Sequence, residues 1–203
     1  MVVVDSRIIA KTERLLLRPL ELNDAEDVLL MRKDPEVMKH TSILPSDDIE
    51  KTKQWIQGCH DRDNCWNFVI EILSINKADS VVEHSDSEAN SQHIYPSREH
   101  TAPRVIGLIG AVRAPEVGYM LNANYWGRGY ATEAMKAFMP LFWTHNTYGH
   151  AEAHTDPDLE SSQNVLRKVG FELHERREKD FENPFLGWRD TLVFRMDRPN
   201  DVA

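Results

Sequence analysis

The sequence predicts an α/β fold, a mixed sheet with helices on its faces, and three observations predict it. Strand-like runs come before, between and after stretches with helical spacing, without strict alternation. At Tyr125-Trp126-Gly127-Arg128-Gly129-Tyr130, two glycines flank one residue between an alternating run, Val117 to Leu121, and a helical pattern, Thr132 to Phe142. The chain of 203 residues, 41% of them hydrophobic, suits one domain with a substantial core.

Arg14-Leu15-Leu16-Leu17-Arg18 reads as a strand with Leu15 and Leu17 on one face, ended or edged by Pro19. Asn23 followed by Glu26 resembles a capping box, so a helix is expected to start there with Ala25, Val28 and Leu29 inward. Asp34-Pro35 breaks it. Ser46-Asp47-Asp48 opens a second helix through Trp55 and Ile56, its acidic residues suiting the N-terminal end. Cys65 to Leu73 reads as a strand. Residues 74–103 are polar and without periodicity, too poor in apolar side chains to offset their ordering entropy. They are expected to form a long mobile insertion, carried by a hairpin of the flanking strands.

Arg104 to Val112 resumes as a strand, Ala114-Pro115 makes a turn, and Glu116 to Asn122 follows as the strand before the glycine turn. Pro140 falls inside the next helix, so a kink or early end is expected there. His150 to Thr155 reads as a strand, and Ser161 to Val169 as a short helix capped by Gly170. Phe171 begins another strand. Thr191 to Met196 alternates, with Leu192, Phe194 and Met196 on one face, after a Gly187-Trp188-Arg189-Asp190 turn.

Several classes are disfavoured. A net charge of −9 argues against a nucleic-acid partner, which needs a basic face, and mildly favours a cationic one, an acidic surface that aids solubility being the plain alternative. No apolar run approaches the ~20 residues of a membrane span. The start, Met1 to Arg7, lacks secretory-signal features, and Cys59 and Cys65 have no paired-ligand spacing. A reducing, cytoplasmic setting is therefore expected. His150 and His154 lie four apart, but on a strand pattern and out of the zinc-protease order, so no metal site is expected.

Glycines at a strand-to-helix junction let the backbone turn sharply and expose N–H groups, which together with the helix dipole favour a phosphate. Three segments then carry a resemblance. Glu116-Val117-Gly118-Tyr119-Met120-Leu121 runs into the glycine turn and Ala131-Thr132-Glu133-Ala134. Ser162-Gln163-Asn164-Val165-Leu166-Arg167-Lys168-Val169-Gly170-Phe171 follows downstream. Thr12-Glu13-Arg14-Leu15-Leu16-Leu17-Arg18-Pro19 stands near the start. Together they resemble the GNAT superfamily of N-acetyltransferases, and within it the branch of ribosomal-protein N-terminal (Rim-type) acetyltransferases.

The resemblance implies a central mixed sheet of about six or seven strands with a V-shaped cleft between two splayed parallel strands, here Val117 to Leu121 and His150 to Thr155. It implies acetyl-CoA as co-substrate and an amine acceptor, with direct attack in a ternary complex. The backbone of Gly127, Arg128, Gly129, Tyr130, Ala131 and Thr132 would receive the CoA diphosphate. Met120 and Leu121 would pair with the pantetheine arm, and Ser162 would stand near the sulfur. The branch's asparagine three residues before that serine is Leu159 here, and Asn164 is a partial substitute. Asn124 replaces the Gln or Arg that often opens the turn, and the tyrosine acid of other branches has no counterpart at Phe171. Glu116 is the first candidate for general base and His154 the second; a solvated strand-end glutamate is the plain alternative for Glu116, and a helix-cap hydroxyl for Ser162. Glu133 is expected to be structural. Cys59 and Cys65 lie outside the cleft elements, so no covalent intermediate is expected. A non-catalytic acyl-CoA sensor or scaffold, and an unrelated nucleotide-phosphate binder, remain the rival readings.

Overall fold

Period-two apolar strands and amphipathic helices assemble into one sheet covered on two faces. The computed structural model describes residues 9–62, 65–73 and 104–200. Its strands are β1 (Ala10–Lys11), β2 (Leu15–Pro19), β3 (Trp66–Ile72), β4 (Arg104–Arg113), β5 (Glu116–Leu121), β6 (His150–Thr155), β7 (Glu172–Asn183) and β8 (Gly187–Asp197). Its helices are α1 (Ala25–Arg32), α2 (Pro35–Met38), α3 (Ile49–His60), α4 (Tyr130–His145) and α5 (Glu160–Val169). The sheet runs β1-β2-β3-β4-β5-β6-β8-β7. Every neighbouring pair is antiparallel except β5 and β6, which are parallel. The eighth strand, beyond the expected six or seven, comes from the two-residue β1 pairing Ala10 with Leu17.

Alternation sorts the core. On one face Leu17, Phe68, Ile109, Val117, Leu121, Ala153 and Phe194 pack against Phe138 and Phe142 of α4 and Leu166 of α5. On the other, Val69, Val105 and Leu108 meet Val28 and Met31 of α1 and Ile56 of α3. Each fully buried phenylalanine contributes roughly 1.5–3 kcal/mol by leaving water.

The helix ends follow local chemistry, with some departures from expectation. Asn23 is not a cap. A 3-10 turn, Leu22–Asp24, precedes α1, and the Glu21 amide donates to Asp24 Oδ2 at 2.9 Å. Asp24 also binds Arg18, at 2.7 and 2.8 Å, so the strand β2 arginine dictates where the turn forms. Asp48 caps α3 by accepting from the amides of Glu50 and Lys51. Helix α4 neither ends nor breaks at Pro140 but continues to His145. Packing of Phe138, Phe142 and Trp143 on the sheet outweighs the one bond that Pro140 removes. The expected turn at Gly187 to Asp190 is instead the start of β8; the chain reverses one step earlier, at residues 184–186. Strands β3 and β4 are antiparallel neighbours, and the segment between them, 74–103, lies outside the described residues.

Candidate active site

The cleft forms because β5 and β6 pair at one position only. Glu116 aligns with Glu152, and the Glu152 amide donates to the Pro115 carbonyl at 3.0 Å. Beyond that bridge no register links Val117–Leu121 to the end of β6. On its other edge β5 stays paired to β4, and the Asn122 amide donates to the Ile106 carbonyl at 2.9 Å. Strand alternation then turns the Met120 and Gly118 backbones toward β4 and those of Tyr119 and Leu121 toward the opening. The Leu121 carbonyl is met there by Trp126 Nε1 at 2.9 Å. Sequence reasoning named Met120 and Leu121; the register supports an open edge at Tyr119 and Leu121, while Met120 pairs with Leu108.

At the end of β5, Asn122 caps a 3-10 turn, Ala123–Tyr125, which leads into the glycine turn. Gly127 and Gly129 have φ of +74° and +81°, where a Cβ strains the backbone. A Cβ on Gly127 would meet nothing within 4 Å, and one on Gly129 only Arg14 Nη2 at 3.6 Å. The turn thus presents bare, exposed backbone at the N-terminus of the 16-residue helix α4. Arg128 lies over the Tyr125 ring at 5.9 Å, Thr132 is half-buried, and Tyr130 and Ala131 are buried beneath the turn.

On the α4–α5 side of the cleft, Tyr119 reaches α5 and its hydroxyl donates to Ser162 Oγ at 3.1 Å. Burial pushes the Tyr119 phenol up, and the bond to Ser162 works against that rise. Asn164, two residues further along α5, is exposed and turned to a different side of the helix. The neighbouring Gln163 is buried and donates to the Pro157 carbonyl at 2.8 Å.

The opposite face holds the two base candidates together. His154 Nδ1 lies 3.5 Å from Glu116 Oε1, and its Nε2 lies 3.4 Å from Glu152 Oε2. His150 Nε2 contacts the same Glu152 at 3.3 Å, and Arg113 holds Glu116 at 2.8 Å. All of these groups sit at the single bridge where the strands part. Tyr119 and Glu152 were missed by sequence reasoning. The period-two placement of His150, Glu152 and His154 on one strand face was the available signal for Glu152.

At the far end of β6, Asp156 is buried and receives Arg189 Nε and Nη2, each at 2.8 Å, with His40 Nδ1 at 3.5 Å. Arg189 also contacts Asp158. Burial works to raise the Asp156 carboxyl, but Arg189, the Asp158 amide and His40 outweigh it and bring it down to about 2. Asn183, 1% exposed, donates to the carbonyls of Lys39 and Thr41 and accepts from the amides of Phe185 and Leu186. These bonds bolt the β7–β8 hairpin to the loop after α2. The hairpin carries Trp188, 60% exposed, with Phe185 and Leu186. Cys59 on α3 and Cys65 before β3 are buried, unbridged and away from the cleft. Among the described residues no group of His, Cys, Asp and Glu is arranged to hold a metal ion, and no helix is long and apolar enough to cross a membrane.

Comparisons with known proteins agree with this fold. The uncharacterised N-acetyltransferase p20 of Bacillus licheniformis is 28% identical over 195 residues, covering 91% of this chain and 93% of its own. RimL, a ribosomal L7/L12 α-N-protein acetyltransferase solved with coenzyme A, superposes with TM-score 0.71 at 15% identity, covering 93% of this chain and 97% of its own. The Vibrio cholerae spermidine N-acetyltransferase, solved with CoA and spermine, gives TM-score 0.68 at 13% identity, with 92% and 97% covered. The profile of the acetyltransferase (GNAT) domain matches residues 14–172, and the chain belongs to the GNAT acetyltransferase family.

Proposed function

We propose that the protein transfers an acetyl group from acetyl-CoA to a primary amine by direct attack in a ternary complex. The observation that carries this reading is the one-bridge parting of β5 and β6, with hydroxyls on one face and a His–carboxylate cluster on the other. The diphosphate of acetyl-CoA would lie on the Gly127–Thr132 backbone and the pantetheine arm along the open edge of β5. Because Ser162 Oγ already accepts from Tyr119, its own proton is free to turn toward the sulfur. It would then donate to the departing thiolate, a leaving group with an ordinary pKa near 8.5 that needs only modest help. On the other face Glu116, supported by His154 and Glu152, would take the proton of the attacking amine, directly or through water.

The acceptor class is read from charge and from relatives. A net charge of −9 suits an amine. RimL is named for a protein N-terminus and the Vibrio cholerae enzyme for spermidine, and both chemistries are candidates here. Incubation with acetyl-CoA and a pool of peptides, polyamines and aminoglycosides, read by mass spectrometry, tests the proposal. A species heavier by one acetyl group is expected. Leu159, in place of an expected CoA-contacting asparagine, favours one second reading, an acyl-CoA sensor. CoA binding without turnover of any amine in the pool would establish that reading and overturn the first.

A further inference from the structure

The glycine turn rests on a partly buried scaffold that its own sequence does not contain. Arg14, in the bend between β1 and β2, places its Nε 2.7 Å from Glu133 Oε2, and its backbone amide 3.3 Å from Glu133 Oε1. Thr12 Oγ1 donates to the same Oε1 at 2.5 Å. The guanidinium lies 4.4 Å over the ring of Tyr130, which is 1% exposed. From that fixed position Nη1 donates to the Arg128 carbonyl at 3.2 Å. Burial would raise the Glu133 carboxyl, but Thr12 and Arg14 more than reverse this, so it stays ionised as the anchor.

The carbonyl that Arg14 grips belongs to the peptide between Arg128 and Gly129. In a planar trans peptide the C=O and N–H point in opposite directions. Gly129 tolerates either sign of φ, so this peptide flips at little local cost, and a flipped peptide would aim a carbonyl oxygen at an anion. We propose that Arg14 is a positioning residue for the co-substrate diphosphate: by holding the Arg128 carbonyl inward, it keeps the Gly129 N–H aimed out of the turn. This rests on the reading of the turn as the diphosphate site. The role is geometric, because the Arg14 charge is already matched by Glu133. A fork of several N–H groups spans Glu133 and the Arg128 carbonyl at once, and a lysine ammonium does not.

The test is calorimetric titration of the full chain with coenzyme A, for the wild type, Arg14→Lys, Arg14→Leu and Glu133→Gln, with thermal unfolding of each without ligand. Both Arg14 variants are expected to weaken CoA about tenfold, lysine as much as leucine, and Glu133→Gln to weaken it in the same direction. The loss in affinity is expected to exceed any change in melting. In the wild type, the Gly129 amide is expected to show a single sharp nitrogen–proton resonance that broadens in Arg14→Lys. Arg14→Lys binding like wild type while Arg14→Leu binds weakly would make the effect one of charge and overturn the proposal. So would unchanged affinity in both. A wild type that binds no CoA would instead sink the diphosphate-site reading itself.

Discussion

The side chains at the bridge between β5 and β6 carry the sharpest tests. Glu116→Gln is expected to lower kcat at least tenfold, with little change in CoA affinity, because in the proposed mechanism the carboxylate would meet the amine and not the diphosphate. The acidic limb of the pH–rate profile is expected to move with it; an unaltered profile removes Glu116 from the role. Ser162→Ala is expected to slow turnover similarly, and Tyr119→Phe, which leaves Ser162 without its donor, to slow it less. Glu116 and His154 were named from the sequence because they fall on the two strands read as cleft walls, and Ser162 because the family resemblance marks its position. Tyr119, Glu152 and Arg14 were not, since their parts depend on cross-strand register and on contacts 43 and 119 positions away in the chain. No local pattern encodes those.

At the level of elements, periodicity and capping residues located β6 and α5 within a residue, and placed the opening of α3 at Ser46-Asp47-Asp48, the last of which is its cap. Tertiary packing decided the rest. Pro140 sits exposed on a helix whose buried face lets it continue to His145. Pro140→Ala restores a main-chain bond there and is expected to stabilise the protein by about 1–2 kcal/mol after allowing for the looser unfolded chain, measured by urea unfolding. The salt link at the end of β6 has a pH signature. The Asp156 carboxyl is held near 2, below its unfolded value, so its contribution is complete above roughly pH 4 and lost as pH falls toward 2. Asp156→Asn is therefore expected to be less stable than wild type at pH 7, with the gap closing at pH 2. A gap that stays constant with pH would place the effect in packing and not in charge.

Across the whole molecule, binding should report on folding. If the turn and the open edge receive CoA, a hundredfold excess over Kd adds about 2.7 kcal/mol to the folded state. For a chain of this size that corresponds to a rise in Tm of roughly 5–10 °C. A shift with ATP but none with CoA would favour the nucleotide-binding rival. The sheet itself has an uneven seam: strands β1 to β5 form one antiparallel block and β6, β8 and β7 another, joined at Glu116 and Glu152. Amide deuterium uptake should expose that unevenness. The Tyr119 and Leu121 amides, flanking a Met120 shielded by β4, are expected to exchange quickly in the free protein and slowly once a thioester arm lies beside them, so that labelling would trace the ligand's path residue by residue.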